Sequence, residues 1–304
     1  MLAPACADRP ARGGAGGARR RRCDDGPDDG VVPHRGGSPI GPTPAVFAAR
    51  ACRAGWHSIL PILSQLSHKI PKGRASIRER IRSPRASSGG FVTCVSRRSA
   101  EKLSPLVDAI AAGGGLAHAI GCDARKEDDV IATVERIERE IAPIEVYVFN
   151  VGANVPCSIL DETSRKYMKI WEMACFGGFL TAREVAKRMV ARGRGTMLFT
   201  GATASVRGSA NFAAFAGAKH ALRALAQSMA RELGPRGVHV AHVIVDGAID
   251  TAFIRDNLPA LYAKKDEGGI LDPDHIAENY WHLHSQPRDA WTFELDLRPW
   301  IEKW

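Results

Sequence analysis

The side chains able to carry protons in this sequence gather around one stretch, residues 201–251. It opens on a loop of small residues with two hydroxyls, Thr203 and Ser205, and runs into a segment where Ala218, Leu222, Leu225, Met229 and Leu233 recur at three- and four-residue intervals. That spacing makes a single apolar stripe and predicts a helix with a core-facing side. Lys219 lies beside the stripe, with Phe215, which can transfer no proton, one turn earlier. Gly234-Pro235 supplies the stop, because glycine accepts a left-handed cap and proline cannot continue a helix. The β-branched run 238–245 reads as a buried strand, and Asp246-Gly247-Ala248-Ile249-Asp250-Thr251 as the turn leaving it. His220, Cys175 and Asp161 are further proton carriers, each more simply explained by a structural role. His282 and His284 stand two residues apart, off a shared helix face and without evident metal partners, so no metal site is expected.

The elements that must position these groups begin at Gly90. Strand patterns at 91–95, 116–121, 144–149 and 196–200 alternate with helix patterns at 100–112, 127–141 and 162–191, the last loosened near Gly177-Gly178. Strands alternating with helices of this length imply βαβ units and right-handed crossovers. The fold class is therefore α/β, a Rossmann-like doubly wound parallel sheet in three layers, α/β/α. Beyond Thr251 a loop-like stretch reaches Gly269, followed by a helix at 273–284 and an alternating strand at 291–298 at or near the sheet edge.

In order and spacing, the loop, helix, strand and turn of 201–251 resemble the second half of a short-chain dehydrogenase/reductase, a single-domain oxidoreductase family. The similarity covers about residues 90–251, and residues 252–272 occupy the place of the family's substrate-covering segment. Lys219 stands where the family has the lysine of Tyr-x-x-x-Lys, and Gly247, Ile249 and Thr251 where it has the later residues of Pro-Gly-x-Ile-x-Thr, with Asp246 replacing the proline. The resemblance implies that Lys219 holds the nicotinamide ribose. It also puts Phe215 at the catalytic tyrosine, Ala202 at the serine, with Thr203 and Ser205 as the nearest hydroxyls, and Ala174 near the asparagine.

For the cofactor half, ligands of doubly wound sheets lie beyond the carboxyl ends of the strands. Arg97 and Arg98 follow the 91–95 strand where an acidic residue would bind the ribose of NAD. Arginine there can pair with the 2′-phosphate of NADP, so NADP is expected, with NAD less favoured. Asp123 takes the place of the family's adenine-binding aspartate, and Asn150-Val151-Gly152 that of its Asn-Ala-Gly motif. The family's glycine-rich phosphate loop has no match at the required distance. Lys72-Gly73-Arg74-Ala75-Ser76-Ile77-Arg78 puts Ser76 and Arg78 where glycines belong, and Gly37-Ser38-Pro39-Ile40-Gly41 follows no strand. The first, central strand of the sheet is thus in question: either residues 58–88 form a distorted substitute, or the chain begins with sequence foreign to the fold.

Composition bounds the remainder. The net charge of +9 belongs to residues 1–88, which hold 16 Lys/Arg against 6 Asp/Glu, while residues 89–304 hold 26 against 27. A nucleic-acid surface needs clustered positive charge on the domain itself, so none is expected. Residues 1–88, rich in Arg, Gly and Pro, read as a largely disordered or foreign extension, and 89–304 as the Rossmann-like domain. Seven scattered cysteines without a C-x-x-C pair suggest neither disulfides nor zinc and fit a reduced, cytoplasmic setting. No apolar run is long enough to span a membrane. Three functions remain open. The chain is an NADP-linked oxidoreductase with an atypical proton donor acting on a small carbonyl or alcohol, a non-catalytic binding or scaffold relative, or a truncated or mis-started form unable to bind cofactor. The resemblance further implies a homodimer or homotetramer paired through 162–191 and 212–233.

Overall fold

The computed structural model describes residues 45–50, there by backbone alone, 91–112 and 115–303. Strands β1 (Ala45–Arg50), β2 (Phe91–Arg97), β3 (Leu116–Gly121), β4 (Ile144–Phe149), β5 (Gly195–Thr200), β6 (Val238–Val245) and β7 (Glu294–Leu297) form one sheet in the order β3-β2-β1-β4-β5-β6-β7. Strands β2 and β3 pair in parallel, as do β4 through β7. The long helices are α1 (Ser104–Ala112), α2 (Glu127–Arg136), α3 (Ser164–Trp171), α4 (Gly177–Arg192) and α5 (Ala213–Leu233). Two short ones, α6 (Ala252–Asn257) and α7 (Pro259–Tyr262), precede α8 (Pro273–Ser285).

Side-chain alternation along the strands sorts the core into two faces. Tyr147, Phe149, Met197, Phe199, Val238 and Val240 pack with Val185 and Met189 of α4 and Leu222 and Ala226 of α5. Val146, Val148, Leu198, Val243 and Val245 face the other way, against Ile276, Tyr280 and Leu283 of α8. A helical layer on each face of a mainly parallel sheet is the three-layer α/β/α fold expected.

The departures have local causes. Strand β1 fills the central slot between β2 and β4 and runs antiparallel to both, so the sheet is mixed rather than wholly parallel. Either strand direction satisfies the backbone groups of the two neighbours, which is what the slot demands. The proposed 58–88 substitute, like the glycine-bearing segments 37–41 and 72–78, lies outside the described residues. Strand β2 continues two residues past Val95 because Ser96 and Arg97 still pair with Ile120 and Gly121, so Arg97 closes the strand rather than following it. The loosened turn between α3 and α4 is a π-helical segment over Glu172–Phe176, one residue ahead of the glycine pair. The 252–269 stretch, expected as loop, contains α6 and α7, with Thr251 capping α6 by accepting from the Ile254 amide. The final strand shortens to Glu294–Leu297, at the sheet edge.

Gly178 shows how closely α4 lies on the sheet. A β-carbon there would come within 2.8 Å of Leu222 Cδ1 and 2.9 Å of Phe149 Cε1. Gly178→Ala should therefore overpack the α4–α5–β4 contact and lower stability by about 1–3 kcal/mol in urea denaturation. An unchanged denaturation midpoint would show that the contact yields freely.

Candidate functional site

The site lies at the carboxyl ends of β4, β5 and β6. From Thr200 the chain turns through Gly201-Ala202 into a short 3-10 turn, Thr203–Ser205, that packs on α5. Asn211 adopts a left-handed conformation with φ of 67°, which asparagine tolerates, and its carbonyl accepts from the Cys157 amide at 2.8 Å. Helix α5 then enters with its alanine-rich face inward, and Lys219 falls on that face. Only 3% exposed, the lysine donates from Nζ to the Thr200 carbonyl at 2.8 Å and the Val151 carbonyl at 3.2 Å. The Phe215 ring one turn earlier has its centroid 5.8 Å from Nζ, a cation–π distance. Loss of solvation pulls the ammonium pKa down to about 8, from an ordinary 10.5.

A second cluster ties the turn after β5 to the end of the chain. Thr203 donates its hydroxyl to Oδ1 of Asp246, which is 2% exposed at the end of β6. Arg207 reaches the same oxygen at 3.4 Å, the Lys303 carbonyl at 3.3 Å and the Glu302 carboxylate at 3.8 Å. Arg298 lies 3.8 Å from the other Asp246 oxygen and also pairs with Asp296. The next residue, Gly247, has φ of 151°, and a β-carbon there would meet Pro299 Cδ at 2.6 Å, so glycine is required on both counts. Ser205 is fully buried, and its Oγ accepts from the Ala202 amide at 3.1 Å. Of the two hydroxyls singled out in the sequence, Thr203 is the half-exposed one.

Beneath Lys219 lies a third cluster. Arg223, one turn along α5, grips Glu294 of β7 with two nitrogens at 2.6 and 2.7 Å, and Glu294 takes a hydrogen bond from Nδ1 of the fully buried His242 at 3.0 Å. Burial holds His242 neutral, its pKa drawn down to about 4 against the opposing pull of Glu294. Nε2 then carries the lone pair and has no hydrogen-bond partner among the described residues.

The remaining predicted positions line the same edge. Arg97 accepts from the Cys122 amide through its carbonyl at 3.0 Å, and Arg98 is exposed. Arg125 holds the Asp123 carboxylate at 2.6 and 2.9 Å and keeps its pKa low, with the Arg98 charge adding to the effect. Asn150 and Gly152 flank Val151, whose carbonyl receives Lys219. Ile249 bridges to Leu271, drawing the turn toward α8. Ala174 is fully buried in the cluster around Phe215, so no asparagine-like donor stands there. The other proton carriers are spent elsewhere: His220 Nδ1 bonds its own helix at the Ala216 carbonyl, Cys175 is buried with its thiol pKa raised, and Asp161 is exposed. Among the described residues no cluster could hold a metal ion, and no helix is long and apolar enough to cross a membrane.

The partners missed in the sequence were Asp246 as the seat of Thr203, Arg207, Arg298, and the His242–Glu294–Arg223 chain. One available signal was the run Glu294-x-Asp296-x-Arg298, whose two-residue period puts three charges on one side of an edge strand.

A family model for short chain dehydrogenase matches residues 82–260, more than half of the chain. The crystal structure of a short-chain dehydrogenase from Rhodopseudomonas palustris is 48% identical, with a TM-score of 0.57 over 67% of this chain and 85% of that one. A metagenomic short-chain oxidoreductase solved in complex with NADP, 23% identical over 69% of this chain and 86% of its own, has a TM-score of 0.57 and bears on the fold alone. The 3-oxoacyl-[acyl-carrier-protein] reductase MabA of Mycobacterium tuberculosis is 30% identical over 45% of this chain and 55% of its own length. The chain spans 28% and 55% of the first two curated relatives it matches, about half their length or less.

His242 gives the site a measurable acid response. Its folded pKa lies below the usual 6.5, so the unfolded chain binds the extra proton first as pH falls. Its contribution is fully present above about 6.5 and is lost as pH falls through about 4, on the order of 3 kcal/mol. His242→Gln should flatten the stability-versus-pH curve in that window, measured by denaturation at each pH. Parallel curves for the two proteins would contradict the buried, neutral imidazole.

Proposed function

The chain belongs to the short-chain dehydrogenase family, and from that premise we propose that it is an NADP-linked oxidoreductase acting on a small carbonyl or alcohol. The observation that carries this reading is the buried Lys219 ammonium, placed by two strand-end carbonyls at the ligand edge of the sheet. A lysine kept only for solubility would sit in water; this one forgoes hydration to bond two backbone carbonyls. When bound, the nicotinamide supplies hydride exchange at a carbonyl or alcohol carbon.

The fit of a dinucleotide to these residues is uneven. Its nicotinamide end is served by Lys219 toward ribose hydroxyls, by the backbone of Asn150, Val151 and Gly152, and by the turn of Gly247, Ile249 and Thr251. At Gly247 the backbone packs directly against Pro299, where a β-carbon could not stand. Its adenosine end is served by Asp123 and by Arg97 and Arg98, whose charges suit a 2′-phosphate better than a bare ribose and favour NADP over NAD. The pyrophosphate is served least well: β1 brings its N-terminal residue, Ala45, rather than its C-terminal one to the ligand edge, beside Ser96.

Phe215 at the tyrosine position supports a second reading, a binding or scaffold relative without turnover. Both readings take a homodimer or homotetramer paired through α3, α4 and α5 as the assembly. A reduced, cytoplasmic setting goes with the thiols of Cys94, Cys122 and Cys175, each buried among the described residues.

Titration with NADPH, followed by tryptophan fluorescence, tests the proposal. Saturable quenching is expected, and Arg97→Ala should weaken NADPH by about 10- to 100-fold while leaving NADH nearly unchanged, since a charged hydrogen bond to phosphate is worth about 1.5–3 kcal/mol. Absence of quenching would overturn the cofactor reading; equal losses for both nucleotides would overturn the role of Arg97. Turnover over a panel of carbonyls and alcohols then separates enzyme from binding relative.

A further inference from the structure

A cleft of about 490 Å³ opens between the first two turns of α8 and the end of β7, within the range of about 300–1,000 Å³ usual for small-molecule sites. Lys219, Phe215 and Thr203 are not among the residues that line it, so it is a separate place from the site described above. Its apolar lining comes from the buried Ile270 and Ile276 and the half-buried Leu271 and Leu297. Trp300 forms one wall. The residue is 79% exposed, yet its Nε1 donates to the Glu267 carbonyl at 2.9 Å, and the same ring edge lies 3.6 and 3.7 Å from where a β-carbon of Gly268 would stand. A ring that is both exposed and held still is preorganised, because the entropy of fixing it has been lost before any ligand arrives.

The charges around the cleft favour one sign. Asp250 pairs with Lys265 at 2.7 Å and Asp296 with Arg298, so the two basic side chains of the lining are already answered by carboxylates. Asp272, in contrast, has no basic side chain within ion-pair distance among the described residues. It is exposed at the N-cap of α8, where Oδ1 accepts from the Asp274 amide at 2.8 Å, and Asp274 adds a second carboxylate in the first turn. Two carboxylates exceed the positive end of a helix, which amounts to roughly half a charge, so this end of the cleft is net negative.

We propose that this cleft binds an organic ammonium ion with an apolar body. The body packs on the isoleucine and leucine lining and against the Trp300 ring, and the ammonium group lies toward Asp272. An ammonium carries only donors and an ionised carboxylate only acceptors, so the two match. An anionic ligand would find Lys265 and Arg298 already paired and would meet the Asp272 charge with its own. A neutral ligand would gain the apolar contact and leave that charge unanswered.

The test uses the full chain without nucleotide, labelled with ¹⁵N-tryptophan, at low salt so that the surface charge is not screened. Three probes share one body: 2-phenylethylamine, 2-phenylethanol and 3-phenylpropionate. The Trp300 indole signal, assigned by its disappearance in Trp300→Phe, should move saturably with the amine, and affinities are measured by ligand-observed NMR. The amine should bind about two- to fivefold more tightly than the alcohol, the range of one exposed ion pair, and the carboxylate most weakly. Asp272→Asn, which keeps an N-cap acceptor, should bring amine and alcohol together. Trp300→Ala should weaken both alike, by about two- to tenfold, the range of one aromatic contact. A Trp300 signal that no probe moves, as a cleft covered by a second copy of the chain would give, overturns the proposal. So does binding of the alcohol or the carboxylate as tight as that of the amine, an unchanged preference in Asp272→Asn, or undiminished binding in Trp300→Ala. Because Lys219 takes no part, the binding of NADPH or its failure changes none of these outcomes.

Discussion

Keeping an ammonium ion out of water is the constraint from which most of this architecture follows. Desolvating such an ion costs several kcal/mol even after the surroundings relax, and Lys219 has two carbonyls and an aromatic face in return, with no carboxylate among its hydrogen-bond partners. The incomplete compensation is why its proton is held less firmly than that of a surface lysine. Those partners come from three elements, the ends of β4 and β5 and the first turns of α5. Their spacing has to be rigid, because a carbonyl displaced by an ångström no longer accepts well. The close seating of α4 at Gly178 and the hydrogen bond of 2.7 Å between Thr200 Oγ1 and Tyr280 of α8 anchor the strand end that carries the nearer carbonyl.

The other charges near Lys219 are arranged so as not to disturb that one. Asp246 is balanced by Arg207 and Arg298, and Glu294 by Arg223, so each carboxylate spends its charge on a guanidinium rather than on Lys219. His242 stays neutral between them. Strand β7 and the residues after it contribute to both balances, through Glu294 and through Arg298 with the Glu302-Lys303 stretch. The short edge strand is thus electrostatic as well as structural: it brings counter-charges beneath two turns that the parallel strands alone would leave bare. Aspartate at 246, where the family pattern has proline, supplies both a carboxylate and an amide donor that proline lacks.

Much of this was legible in the residues because it is written in local periods. The stripe from Ala218 to Leu233 predicted α5, the continuous apolar runs of β4 and β6 predicted strands buried on both faces, and all of these formed where expected. Lys219 and Phe215 share one helix, as the pattern implied, and their i, i+4 relation survives any loop error. The two-residue extension of β2 was not legible, since nothing in Ser96-Arg97 opposes or demands pairing until Ile120 and Gly121 arrive beside it. Nor was the central strand: Ala45–Arg50 is a short, alanine-rich segment whose pairing is set by the vacancy between β2 and β4 and by partners about a hundred residues away. The Arg223–Glu294 and Thr203–Asp246 links join residues 71 and 43 positions apart, and no local pattern encodes such pairs. Where a side chain's role depended on its own helix or strand it could be read; where it depended on a charge arriving from elsewhere in the chain it could not.

The account rests on the state of one ammonium group, and that state can be observed directly. In protein labelled with ¹⁵N-lysine, with the Lys219 signal assigned by its disappearance in Lys219→Arg, the chemical shift of Nζ is followed as a function of pH. A titration midpoint near 8 is predicted, well below the ordinary 10.5 and distinct from the other lysines. A Lys219 signal titrating at the ordinary value would mean a solvated side chain, and the site built around it would not exist as described.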